Sequence, residues 1–150
     1  MIIIADSGAT KTDWRILLTD ETILQASSPG FNPNYHPAED FRKSIAETIV
    51  PLVKAKVEKI FFYGSGVSSE KNHKIVHDAL ANFFPDAHIE IAWDLLASAR
   101  ALCGQEAGIA CILGTGSNSC YYDGEKIAAS VTNLGWILAD EGSGTHLGKQ

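Results

Sequence analysis

The sequence has no Lys/Arg cluster, no apolar run near the ~20 residues of a membrane span, and only three cysteines in 150 residues. Each shortage removes a class of function. Without a basic patch, and with a net charge of -6 and a pI near 5.2, broad contact with a nucleic-acid backbone is excluded. A small anionic ligand would need a local site. Cys103, Cys111 and Cys120 form no C-x-x-C pair, so they make neither a zinc motif nor a disulfide framework. They read as reduced thiols packed like small hydrophobes. The apolar opening Met1 to Ala5 is too short for a signal-peptide core and has no basic region before it, so a cytoplasmic location is expected. The pattern G-x-x-x-x-G-K-[ST] is missing, which removes the Walker loop.

Hydrophobic residues make up 45% and charged residues 20%, the balance of a globular chain. At this length it buries roughly two-thirds of its unfolded surface, enough for one domain or much of two. Short apolar segments at Met1 to Asp6, Trp14 to Thr19 and Thr22 to Ser27 predict three strands joined by tight turns. Pro37 stands at a helix start, and Phe41, Ile45, Ile49 and Val53 recur at helical spacing until Pro51 should end or kink the helix. Val57 to Tyr63 predicts a strand, Ile75 to Phe84 a helix stopped by Pro85, Ile89 to Trp93 a strand and Leu95 to Cys103 a helix. The order β-β-β-α-β-α-β-α gives an α/β fold, a mixed sheet with helices on its faces.

After Gly104 the pattern restarts. Ile109 to Leu113 is apolar, Gly114 to Ser117 is a turn, and Ser119 to Tyr122 and Lys126 to Val131 look like paired strands. Aligning Gly8 with Gly116 puts strand, glycine turn and hairpin in the same order twice, an internal repeat. We therefore expect a first lobe over 1–106 and the opening of a second over 107–150, its remaining elements lying beyond Gln150.

Three segments carry chemistry. In Asp6-Ser7-Gly8-Ala9-Thr10-Lys11-Thr12-Asp13 a small glycine-containing tip can bring N–H groups to phosphate oxygens. Thr10 and Thr12 add hydroxyls, Lys11 adds charge, and Asp6 could hold Mg²⁺ through water. An ordinary hairpin turn reads equally well. In Gly114-Thr115-Gly116-Ser117-Asn118 two glycines again allow close approach, with Ser117 and Asn118 offering polar groups. Two such turns at matching points of a repeat could clasp a triphosphate from opposite sides. Asp94 follows an apolar strand and opens a helix, where it serves either as a cap or as a base for a hydroxyl. His73 and His77, four apart, read as a solvated helix face. Asp140-Glu141-Gly142-Ser143 either caps a further helix or lines a cleft with Asn133, Gly135 and Trp136.

Taken in order, DSGATKTD, PGFNPN, WDLLASARA, ILGTGSN and LGWILADEGS resemble the N-acetylglucosamine kinase branch of the actin-like ATPase superfamily, grouped with the BadF/BadG/BcrA/BcrD ATPases. The resemblance implies two ribonuclease-H-like lobes and an ATP- and Mg²⁺-dependent phosphotransferase with an alcohol acceptor. It assigns the ATP phosphates to Gly8, Thr10, Lys11, Thr12, Gly114, Thr115 and Gly116, and the metal to Asp6 through water. Asn34, Asp94, Ser117, Asn118, Gly135, Trp136 and Asp140 would hold the sugar, and Asp94 would be the catalytic base. The implied mechanism is sugar binding between the lobes, closure, and attack of the 6-hydroxyl of N-acetylglucosamine or a related amino sugar on the γ-phosphate. Ser7 and Ala9 replace glycines of a richer run, which slightly reduces the room for backbone approach; Leu134 stands for a glycine and Pro33 for a threonine, which leaves the sugar open; the adenosine-binding segment would lie beyond residue 150. The implied partner is a small sugar, with a homodimer among the open assembly states and neither nucleic acid nor membrane expected.

Two rivals remain at this point. One is an ATPase of the same fold that activates an iron-sulfur dehydratase or reductase, which needs cysteine thiolates at a subunit contact. The other is a nucleotide- or sugar-responsive sensor without turnover, for which a base at Asp94 would be superfluous.

Overall fold

The computed structural model describes residues 1–132 and 134–149, with the side chain of Trp136 excepted. The chain divides into two compact units, Met1–Asp94 and Leu95–Gln150. Among the described residues no helix is long and apolar enough to cross a membrane.

The first unit begins with three antiparallel strands, β1 (Ile2–Ser7), β2 (Lys11–Leu17) and β3 (Ile23–Pro29). β2 starts earlier than the apolar run from Trp14 predicts. The reason is alternation: Thr12, Trp14 and Ile16 all turn inward, so Thr12 pairs with Ser7 as the first inward residue of the strand. Helix α1 (Ala38–Thr48) follows Pro37, whose extended ψ of 141° makes it the cap rather than the first helical residue. Pro51 ends the helical run as expected, within a single 3-10 turn over Val50–Leu52. β4 (Lys59–Gly64), α2 (Glu70–Ala81) and β5 (His88–Trp93) complete the unit. Ser69 caps α2, its Oγ accepting the Asn72 N–H at 3.2 Å.

The sheet order is β3-β2-β1-β4-β5, with β1, β4 and β5 parallel. Its inward face, including Ile3, Ala5, Trp14, Ile16, Ile60 and Phe62, packs with Phe41, Ile45 and Ile49 and with Val76, Ala79 and Leu80. Full burial of such side chains contributes about 1.5–3 kcal/mol each. Aromatic stacking orders the centre: the rings of Phe31 and Phe41 lie 4.3 Å apart and 7° from parallel, and Phe62 meets Phe41 edge-on at 5.5 Å. Trp14 satisfies its buried Nε1–H on Ser28 Oγ at 2.9 Å.

The second unit holds most of helix α3 (Asp94–Cys103), then β6 (Gly108–Leu113), β7 (Ser117–Tyr122) and β8 (Ile127–Ser130) in one antiparallel sheet. Leu95 and Ala99 of α3 pack with Ala110, Cys120 and Tyr122. β7 begins at Ser117, two residues before the expected start. In both β2 and β7 the inward residues fall four and six places after the aligned glycine, Thr12 and Trp14 in one and Cys120 and Tyr122 in the other. Two short helices follow, α4 (Gly135–Leu138) and α5 (Gly144–Leu147), the latter capped by Ser143. Ile109, Leu113, Val131, Ile137 and Leu138 are largely exposed.

Candidate functional site

The parallel register sets Ser7, Gly64 and Trp93 abreast, so Gly8, Ser65 and Asp94 leave three strands at the same end of the sheet. The Ser65 N–H donates to the Ser7 carbonyl at 3.0 Å, joining the first two exits. Ligands of open α/β sheets bind outside the carboxyl ends of the parallel strands.

The first glycine turn is shorter than the motif. Only Gly8, Ala9 and Thr10 form it, closed by the Gly8 N–H on the Lys11 carbonyl at 2.9 Å. Ala9, Thr10 and Lys11 are exposed, and among the described residues the Ala9 and Thr10 N–H groups donate to no other group. Thr12 sits differently from its neighbours. Its hydroxyl is fully buried, 2.8 Å from Ser7 Oγ and donating to the Pro29 carbonyl, so it braces the turn from inside instead of pointing outward. Lys11 Nζ lies 2.8 Å from Asp13 Oδ1. Asp13 is in turn directly opposite Asp6, and burial first and the Asp13 charge second push the Asp6 carboxyl above the ordinary aspartate value of 3.8.

Behind this turn lies a residue the sequence reading did not single out. Gly30 donates its N–H to the Thr10 carbonyl at 3.0 Å, and a β-carbon on it would overlap the Gly8 carbonyl oxygen and the Lys11 nitrogen. The same segment continues to Asn34, which is exposed at the loop surface. Asn34 N–H donates to Asn32 Oδ1 at 3.0 Å, and Asn34 Oδ1 accepts from Asn72 Nδ2 at 2.7 Å. Asn72 Nδ2 also donates to the Gly66 carbonyl at 2.8 Å. Gly66 has φ +74°, and a β-carbon there would run into the Asn32 and Asn34 amides. Glycine is thus required twice over. The available signals were the Gly64-Ser65-Gly66 run after a strand and a polar Asn72 on the inner side of α2.

Asp94, half-buried, is the first residue of α3 at the end of β5, the place its position after the apolar strand implied. The remaining candidates belong to the second unit. Gly114, Thr115 and Gly116 form the turn between β6 and β7, with the Gly114 N–H on the Gly116 carbonyl at 2.9 Å. The segment from Asp140 to Thr145 docks on that turn. Ser117 N–H donates to Asp140 Oδ1 at 3.0 Å, Gly144 N–H to the Gly114 carbonyl at 2.8 Å, and the Thr145 hydroxyl to the Thr115 carbonyl. Asp140 is buried with φ +66°, and a β-carbon on Gly116 would come within 3.1 Å of its carboxylate. Ser117, Asn118 and Asp140 share the lining of one pocket of about 350 Å³. Gly135, at φ +76°, starts α4. Asn133 and the Trp136 side chain lie outside the described residues.

Against solved structures the chain aligns over 99% of its length with the "putative N-acetylglucosamine kinase" of Porphyromonas gingivalis, at 42% identity and a TM-score of 0.89. The chain is similar along nearly its whole length to a protein of that description. A second protein so described, from Chromobacterium violaceum, shares the fold at a TM-score of 0.75 and 23% identity over 99% of this chain. The ethanolamine utilization protein EutJ of Carboxydothermus hydrogenoformans shares it at 0.58 and 17% identity, over 86% of this chain and 50% of its own. The chain spans 54% of the length of each of the first two proteins. No family model and no curated relative matches it.

Proposed function

We propose that the protein is a sugar kinase that moves the γ-phosphoryl group of ATP to the 6-hydroxyl of N-acetylglucosamine or a closely related amino sugar. The observation that carries the reading is the common exit of β1 and β5. It puts the glycine turn and Asp94, the two parts a phosphoryl transfer needs, at one end of one sheet. The similarity to a protein described as an N-acetylglucosamine kinase supports the choice of substrate class.

The exposed N–H groups of Ala9 and Thr10 suit an anionic oxygen, and Thr10 and Lys11 stand beside them. A hydrated Mg²⁺ fits the opposed carboxylates of Asp6 and Asp13, whose mutual repulsion a divalent cation would relieve. Bound there with ATP, the ion would neutralise charge building on the phosphates. Asp94 takes the proton from the attacking hydroxyl, and Asn34 holds the sugar. In this reading β6 to β8 open a second lobe, Gly114, Thr115 and Gly116 form its phosphate turn, and Ser117, Asn118, Gly135, Trp136 and Asp140 are its sugar-binding residues. We place the lobe boundary at 106/107 and the enzyme in the cytoplasm.

The deciding experiment is ADP release by the natural full-length chain with Mg²⁺ and ATP, comparing N-acetylglucosamine, N-acetylmannosamine, glucosamine, glucose and no sugar. Release that requires an N-acetyl sugar supports the proposal. Sugar-independent release, or none, overturns it and directs attention to iron content and the activator ATPase.

A further inference from the structure

The amide network around Asn34 has only one consistent orientation. The Gly66 carbonyl can only accept, so the atom of Asn72 facing it at 2.8 Å must be the Nδ2 donor. The second hydrogen of that nitrogen then meets Asn34 at 2.7 Å, which requires Oδ1 of Asn34 on that side. Among the described residues Asn34 Nδ2 is left with one long contact, 3.5 Å to the Gly66 carbonyl, on an exposed residue where it can serve as a donor. Asn72 is itself held in place. It is buried, its N–H is bound by Ser69 Oγ, and it lies in the first turn of a 12-residue helix.

We propose that Asn72 is a positioning residue that fixes the carboxamide of Asn34 with its N–H₂ outward, so that this point of the site takes an oxygen acceptor of the sugar. Asn72 has no contact with ligand in this scheme; it sets the polarity of a residue that does. A backbone carbonyl thus decides, through two amides in series, which half of the Asn34 side chain the sugar meets. The Asn32 amide, donating to Ser65 Oγ at 3.5 Å and accepting the Asn34 N–H, holds the loop in register for this. The inference rests on the kinase reading for the identity of the ligand, and on the amide geometry alone for the lock.

Two measurements on the full-length protein test it. In steady-state kinetics Asn72→Asp, which offers Asn34 an acceptor and turns its amide round, should raise the sugar KM about tenfold, with kcat and the ATP KM within about twofold. Placed on Asn34→Ala, the same substitution should add less than about a twofold further change, because the residue it acts through is gone. Multiplicative effects, or equal losses for sugar and ATP, would overturn the proposal. The second measurement needs no turnover: side-chain amide NMR. Slow exchange of the Asn72 amide protons, with Asn34 amide resonances displaced by Asn72→Ala, supports the lock. Fast exchange and unmoved resonances refute it. An inactive parent protein with a protected Asn72 amide would sink the kinase and keep the lock.

Discussion

Gly30 and Gly8 meet backbone to backbone: no β-carbon fits on Gly30 without striking the Gly8 carbonyl. The first glycine turn therefore rests on a second glycine 22 residues further along the chain. Gly30→Ala should push the turn outward by about an ångström, the shortfall between 2.3 Å and ordinary van der Waals contact. Overpacking of this kind costs about 1–3 kcal/mol. We expect a lower melting temperature and a rise in the ATP KM larger than the rise in the sugar KM. Equal melting temperature and equal kinetics would show that the turn tolerates the extra methyl.

Asp94→Asn keeps the size and the capping ability of the side chain while removing its basicity. Turnover should fall by about 10²–10⁴-fold. Sugar binding, read by calorimetry, should change little, and so should stability. A variant with undiminished turnover would remove Asp94 from the chemistry and leave it as a cap.

Asp6 carries a pH dependence whose sign follows from its raised carboxyl. Between the ordinary value of 3.8 and its raised value the folded protein binds the proton better than the unfolded chain. Ionised Asp6 thus destabilises the fold. Asp6→Asn should leave stability unchanged well below the ordinary aspartate range and raise it progressively as pH climbs through that range. The gain stays at about 1 kcal/mol or less, because the side chain is partly open to solvent. The same variant should lose Mg²⁺-dependent turnover. Thermal melts at pH 3 and pH 7 read the first effect, and an ADP assay over a Mg²⁺ titration reads the second.

Asp140 is probed by a pair of substitutions. Asp140→Asn retains an acceptor for the Ser117 N–H and tolerates φ +66°, so stability should hold within about 0.5 kcal/mol. Asp140→Ala leaves that N–H without its acceptor and forces alanine into a left-handed backbone, costing about 1–3 kcal/mol. Equal losses from both would mean that charge, and not hydrogen bonding, ties the segment down.

Much of the first unit was legible because its signals are local. The alternation of Ile3, Ala5, Trp14 and Ile16 and the helical spacing of Phe41 and Ile45 depend on neighbours a few residues away. Thr12 shows where such reading fails. A hydroxyl in a polar turn motif reads as a ligand donor, and only the early start of β2 turns it inward. The amide network was hidden for another reason. It joins Asn34, Gly66 and Asn72, which no short-range period connects. α4 and α5 are four residues each, too short to show any period. Asp94 was placed by its position after an apolar strand and Asn34 by resemblance, and the structure adds what surrounds Asn34.

The outward apolar residues of the second unit bear on how the polypeptide behaves in a tube. Ile109, Leu113, Val131, Ile137 and Leu138 give water a poor surface to wet. A solution of this 150-residue chain alone should scatter light increasingly with concentration, bind an environment-sensitive dye and precipitate early on addition of sulfate. Colloidal behaviour, more than folding, then limits the concentrations at which the isolated chain can be handled.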